Sequence, residues 1–101
     1  MNDNSDTIIS TISYIKIRRT IELNQQKYIK TEYCISLYEN KITTSSNQFK
    51  LESVFDVSYR PFSDKFGFLY LHTSQGVFAF EISSDPYYFM EKVRQLIKRM
   101  D

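Results

Sequence analysis

The sequence predicts a mainly β domain, in which a bent antiparallel sheet or small barrel of about seven strands is capped by one C-terminal α-helix. The first observation is a series of segments in which apolar and polar residues alternate, as they do in a half-buried strand. The second is a single amphipathic segment after Ser84-Asp85-Pro86, whose apolar residues are spaced for a helix. The third is the shortness of the links, which is typical of antiparallel hairpins.

A chain of 101 residues can bury one hydrophobic core and is too short for two. Residues 1–7 are small, polar and acidic, and we expect them to be disordered, whereas residues 8–101 form a single domain. Aromatic residues make up 16% of the chain, a share that favours pleated, half-buried surfaces. Because there are only two glycines, we expect the hairpins to turn mainly on Asn, Asp and Ser.

The first two predicted strands form a long hairpin. In the first strand, four apolar residues alternate with polar ones: Ile15, Ile17, Ile21 and Leu23. This alternation predicts that the four share the apolar face of the strand. Arg19 has the same parity, so we expect it near an open end or at a bulge. The second strand extends over residues 28–38, with Ile35 and Leu37 on its apolar face.

Short elements follow this hairpin. Glu39-Asn40 is expected to form a turn, after which a short strand pairs back. Leu51, Val54 and Val57 are spaced by three, which predicts one tight turn before an extended segment resumes. Pro61 ends that extended segment because it has no N–H to donate to a neighbouring strand.

The last predicted elements are a hairpin and the helix. Strands over residues 66–73 and 77–82 flank Gly76, which can adopt the positive φ of a tight turn. Ser84 or Asp85 is suited to cap the helix, and Pro86 to occupy its first position. The apolar stripe of the helix is expected to cover one end of the sheet: Phe89, Met90, Val93, Leu96, Ile97 and Met100.

Charge and composition exclude several classes of function. The net charge is only +1, whereas nucleic-acid-binding proteins usually carry a clear excess of basic residues. We therefore expect no nucleic-acid partner. No apolar stretch approaches the ~20 residues that span a bilayer, so membrane contact is at most peripheral. The single cysteine, Cys34, cannot form an internal disulfide, and the N-terminus lacks the features of a secretory signal. We therefore expect a cytoplasmic protein.

The sequence contains no recognisable catalytic or metal-binding pattern. His72 is the only histidine and has no recognisable nucleophile in its sequence context, so we place it on a strand surface. The carboxylates are scattered, without the paired spacing of a metal site. We predict no enzyme activity, no cofactor and no metal, and infer no small-molecule substrate.

Two local runs precede the last predicted hairpin: YCISLYENKI at residues 33–42 and LESVFDV at residues 51–57. Together with the order of elements over residues 10–100, these runs resemble the pleckstrin-homology superfold, in particular its short bacterial members. In relatives that bind phosphoinositides, basic side chains of the first hairpin converge on the phosphates. The resemblance therefore implies candidates for binding an anion or a phospholipid headgroup: Lys16, Arg18, Lys27 and Lys30.

The superfold also includes members that bind peptides between a strand edge and the terminal helix. One helical turn cannot point all four large side chains of residues 87–90 into a single core, so some are expected to reach solvent or a partner. The candidates for a protein-binding groove are these: Val57, Tyr59, Tyr87, Tyr88 and Met90. The alternative is that Tyr88 merely lies over neighbouring loops.

Several predicted strands are apolar on both faces, notably residues 54–57 and 66–71. A small barrel has one face exposed to solvent, so strands that are apolar on both faces leave apolar surface uncovered. A homo-oligomer that associates through a sheet face or edge would cover that surface. A single barrel with outward tyrosine hydroxyls is the alternative. The resulting expectation is a protein-binding or scaffold module whose partner is another protein or a second copy. Binding of an anionic ligand through the first hairpin is the alternative function.

Overall fold

The computed structural model describes residues 7–99. Seven antiparallel strands form one bent, open sheet, and a single C-terminal helix packs against it, which confirms the predicted fold class. The segment predicted to be disordered, residues 1–7, lies outside the described residues except for Thr7. Met100, predicted to extend the apolar stripe of the helix, also lies outside them.

The strands follow one another in chain order: β1 (Ser10–Glu22), β2 (Gln25–Leu37), β3 (Lys41–Thr43), β4 (Gln48–Lys50), β5 (Val54–Pro61), β6 (Gly67–Thr73) and β7 (Gly76–Ile82). The helix α1 (Tyr87–Arg99) ends the described chain. In the sheet the order is β4-β3-β2-β1-β7-β6-β5, so β4 and β5 are the edge strands. One bridge between Ile15 of β1 and Glu81 of β7 joins the two halves.

Three local predictions are confirmed. A single turn of 3₁₀-helix over Leu51–Ser53 separates β4 from β5, as the spacing of apolar residues predicts. Gly76 adopts a φ of 122° in the hairpin between β6 and β7. The Asp85 carboxylate accepts a hydrogen bond of 2.9 Å from the Tyr87 N–H, so Asp85 caps the helix. Pro86 directly precedes Tyr87, and its C=O accepts a hydrogen bond of 2.9 Å from the Met90 N–H.

The core lies between the inner face of the sheet and the helix. Phe89 and Val93 of α1 are buried, and Leu96 and Ile97 pack against the same cluster. From the sheet, β6 contributes every second residue, which leaves Phe68 and Tyr70 half-buried on the outer face. These rings continue a row of aromatic contacts from Phe62. Both faces of β6 therefore carry apolar or aromatic side chains, as the sequence indicates.

The face of β1 that packs against the core is the opposite of the one that the sequence predicts. Ile12 and Tyr14 are buried, whereas Ile17 and Ile21 are exposed over 55% and 70% of their surface. Side chains alternate along a strand, so burial of Ile12 and Tyr14 fixes the odd-numbered residues on the outer face. The prediction was wrong because alternation separates the two faces of a strand without showing which face meets the core, and β1 meets the core through Ile12 and Tyr14.

Residues 16–31 of β1 and β2 form a two-stranded extension of the sheet, here called the ribbon. β7 pairs with β1 only at Ile15, and β3 pairs with β2 only from Ser36 onwards, so no strand of the described chain flanks the ribbon. Leu23 and Asn24 close its tip with φ values of 50° and 63°, the signature of a type I′ turn. Arg19, expected near an open end, lies in this ribbon.

Candidate binding surfaces

A depression of about 610 Å³ lies between the end of β5 and the start of α1 and is called the tyrosine groove. Its walls include four apolar or aromatic residues: Tyr59, Phe66, Pro86 and Tyr87. The rings of Tyr59 and Tyr87 meet edge to face, with centroids 6.0 Å apart and an angle of 80° between their planes. Two of the predicted groove residues are thus in direct contact.

A glycine on β6 makes room for this aromatic pair. Gly67 lies opposite Pro61 in the sheet, and the Tyr59 ring passes directly over it. A Cβ atom on Gly67 would lie 2.5 Å from Cε1 of Tyr59, closer than real Cβ atoms approach. Sequence reasoning missed Gly67 because its role depends on a residue on the neighbouring strand.

The other predicted groove residues lie elsewhere. Val57 and Met90 are buried and belong to the core, and neither lines the groove. Tyr88 is exposed and does not line the groove, and the Lys92 ammonium lies 5.3 Å from its ring centroid. Only Tyr59 and Tyr87 of the predicted set therefore offer ring surface to a groove ligand, and the groove itself stays a prediction.

The helix partly closes the edge of β5 beside this groove. The Arg94 guanidinium donates a hydrogen bond of 2.7 Å to the Val57 C=O. Along a strand, the backbone N–H and C=O groups of successive residues point alternately to one side and the other. Those of Val57, Tyr59 and Pro61 point away from β6. Pro61 has no N–H to donate. From Val57 to Pro61, Tyr59 is the residue whose N–H and C=O both stay free for a partner.

Arg94 also contacts Asp56, through a hydrogen bond of 3.0 Å from its Nε to the carboxylate. Partial burial acts to raise the pKa of Asp56. A hydrogen bond from the Val57 backbone, the bond to Arg94 and the charges of Arg94 and His72 act in the opposite direction. Together they hold the pKa of Asp56 below its ordinary value. The carboxylate therefore stays ionised, and paired with Arg94, to a lower pH than an ordinary aspartate.

The four cations predicted to bind an anion do not converge. Cross-strand register places Lys16, Arg18 and Lys27 on one face of the ribbon and Lys30, opposite Ile17, on the other. Lys16 donates a hydrogen bond to Ser46 (2.7 Å), and Lys27 pairs with Glu22 (3.2 Å).

Sequence reasoning also missed a partner of the only histidine. The Ser58 hydroxyl and His72 Nε2 lie 2.7 Å apart on the outer face of the sheet, joined diagonally between β5 and β6. The carboxylate nearest in register, Asp56, bonds to Arg94, and within the described chain it makes no hydrogen bond to His72. Neither Ser58 nor His72 lines the tyrosine groove.

No family model matches the chain, and no curated protein matches it. Among residues 7–99, no three His, Cys, Asp or Glu side chains are grouped so that they could hold a metal ion. The helix within the same range is too short and too polar to cross a membrane.

Proposed function

We propose that this chain is a non-enzymatic protein-binding module of pleckstrin-homology-like architecture that works in the cytoplasm. The bent seven-stranded antiparallel sheet with its C-terminal helix supports that architecture. The binding site is the tyrosine groove, and its ligand is an extended segment of another protein.

The observation that carries this proposal is the edge-to-face pair of Tyr59 and Tyr87 beside the end of an edge strand. Tyrosine rings offer large, rigid contact area with little loss of side-chain entropy, and they are enriched at sites that dominate binding. The free N–H and C=O of Tyr59 can bond to the main chain of an added segment. Because Arg94 occupies the Val57 C=O, that segment bonds near Tyr59 and not along the whole of β5.

The test begins with peptides selected from a displayed random library against the intact domain. Each peptide is titrated into the isotopically labelled domain, and we expect amide shifts at Tyr59, Phe66 and Tyr87. Tyr87→Ala should weaken binding by about 1–3 kcal/mol because it removes one wall of the groove. Tyr88→Ala on the same helix is the matched control, since Tyr88 does not line the groove and Tyr88 and Tyr87 are exposed to a similar degree, 64% and 63%. Weaker binding with Tyr88→Ala alone would place the site elsewhere on the helix surface.

A second candidate function is attraction to an anionic surface through the ribbon. Residues 16–31 carry five lysine and arginine side chains and one glutamate, in a chain whose net charge is only +1. Leu23, at the tip between these charges, is 97% exposed. Cations around an exposed apolar tip are suited to a membrane surface that contains acidic lipids.

Vesicle sedimentation tests this second function. We expect binding to vesicles with phosphatidylserine at low salt and loss of binding as salt is added, because the contacts are ionic. Replacing Lys16, Arg18 and Lys30 by Gln should abolish it, while the same change at Lys92 and Lys98 of the helix should not. Equal binding to uncharged vesicles would contradict this function.

A further inference from the structure

β2 carries a long backbone edge that no described strand covers. Its residues 25–35 pair with β1 on one side, but on the other side pairing with β3 begins only at Ser36. An open strand edge of this length is a template for another strand, and proteins normally shorten it, cover it or pair it.

The directions of the free groups follow from two hydrogen bonds at the end of β2. The Leu37 C=O accepts a bond from the Ile9 N–H, on the side of β1, whereas the Tyr38 N–H donates to the Lys41 C=O, on the side of β3. Backbone groups alternate along a strand, and the register between β1 and β2 is continuous. Even-numbered residues therefore direct N–H and C=O outward along the open edge: Gln26, Tyr28, Lys30, Glu32 and Cys34.

A second copy of β2 can pair with this edge in only a few antiparallel registers. Centring the pair on Lys30 uses the most backbone groups but places the two Lys30 side chains opposite each other, which is destabilising. Centring it on Thr31 brings Gln26 opposite Ser36 of the second copy, which is already paired with Thr43 of its own β3. Centring it on Tyr28 leaves Glu32 without a backbone partner.

The register centred on Ile29 avoids these three conflicts. The two Ile29 side chains meet at the symmetry axis, and Tyr28 lies opposite Lys30 of the second copy. Gln26 lies opposite Glu32, where the side-chain amide can donate to the carboxylate. Each of these pairs is favourable between neighbouring strands, and none places like charges directly opposite each other.

We infer that the domain forms a symmetric dimer in which β2 pairs with β2 of a second copy, centred on Ile29. The occupant of the open edge is a second copy because the sequence of β2 complements itself in this register. This interface is separate from the tyrosine groove and does not depend on it. Each ribbon is cationic, so charge repulsion opposes the pairing, and added salt strengthens the dimer.

The first experiment measures mass in solution by analytical ultracentrifugation of the unmodified chain. We expect twice the 12.1 kDa of the chain, with dissociation on dilution and tighter association at higher salt. A single 12.1 kDa species up to roughly millimolar concentration would overturn the inference. Association that salt weakens would also overturn it.

Two proline variants locate the interface. Lys30→Pro removes an outward N–H from the open edge of β2 without removing a bond to β1. Arg19→Pro is its matched control, because it removes one positive charge and one outward N–H from the opposite edge of the same ribbon. We expect the dissociation constant to rise at least about tenfold for Lys30→Pro and to stay within about twofold for Arg19→Pro. The reverse order would place the contact on β1.

A cysteine pair tests the register even if a proline variant fails to fold. In a Cys34→Ser background, Ile29→Cys should form an intermolecular disulfide on mild oxidation. Opposed residues of a non-hydrogen-bonded pair have Cα atoms about 4.5 Å apart, within the range of a disulfide. Thr31→Cys in the same background should crosslink much less. Preferential crosslinking of Thr31→Cys, or none in either variant, would overturn the register centred on Ile29.

Discussion

β1 and β2 contain two regions of the same hairpin that differ in what lies beside them. At the base, Ile12 and Tyr14 face the helix and the rest of the sheet, and both are buried. In the ribbon, Ile17 and Ile21 belong to the same strand and are apolar too, but they lie on its other face and are exposed. The local structure continues without a break from one region to the other, since the register of β1 and β2 is uninterrupted.

This difference teaches that alternation identifies a strand but does not decide which of its faces is buried. Burial depends on elements that are distant in the chain, here α1 and β7, and β7 pairs with β1 only at Ile15, at the base of the hairpin. The base and the helix hold the core, while the ribbon presents unpaired backbone groups and charge.

The largest expected effect comes from placing a charge in each region. Val93→Asp buries an unpaired carboxylate in the core and should lower the free energy of unfolding by several kcal/mol, of order 3–5. Ile21→Asp makes the same chemical change on the exposed ribbon and should cost less than about 0.5 kcal/mol. Urea unfolding of both variants measures the difference. Similar losses in the two would contradict the division into core and ribbon.

Features that depend on adjacent residues were predictable from the sequence. The helix cap at Asp85, the turn at Gly76 and the 3₁₀ turn after β4 each follow from local chemistry, and each is confirmed. The strand count and the position of the helix follow from periodicity in the same way.

Features that depend on register were not predictable. The fit of Tyr59 over Gly67 and the bond between Ser58 and His72 join neighbouring strands at positions that only the pairing of β5 with β6 defines. The separation of Lys30 from Lys16, Arg18 and Lys27 has the same origin, because one residue of register exchanges the two faces of a strand.

A smaller effect should come from the tip of the ribbon. Leu23 adopts a left-handed conformation that costs an ordinary side chain roughly 1 kcal/mol, whereas Asn-Gly is the preferred type I′ pair. Replacing Leu23 by Asn and Asn24 by Gly should stabilise the ribbon by about 1 kcal/mol. Hydrogen exchange is the measurement, with slower exchange expected for ribbon amides and no change at Leu71 in the core. Equal slowing at both places would show that ribbon and core open together.

The smallest expected effect compares the two ion pairs, one in each region. Arg94 and Asp56 tie the helix to the edge of β5, whereas Lys27 and Glu22 join strands that the hairpin already holds together. Because the pKa of Asp56 is lowered in the folded state, its stabilising contribution is complete above the unfolded pKa, near 3.9, and is lost as pH falls through the lower folded pKa. The pair is half-exposed, so this contribution is below about 1 kcal/mol.

Asp56→Asn should therefore lower stability slightly at neutral pH and make stability fall less steeply with pH below about 4. Arg94→Gln should lower stability at neutral pH somewhat more, because it also removes the hydrogen bond to the Val57 C=O. Adding Asp56→Asn to it should cost little further, because the ion pair is already broken. Glu22→Gln, the matched change in the ribbon, should leave the free energy of unfolding within about 0.3 kcal/mol of the parent. Thermal unfolding at a series of pH values checks all four variants. A larger loss from Glu22→Gln than from Asp56→Asn would reverse the comparison, since it would mean that the ribbon and not the helix contact depends on its ion pair.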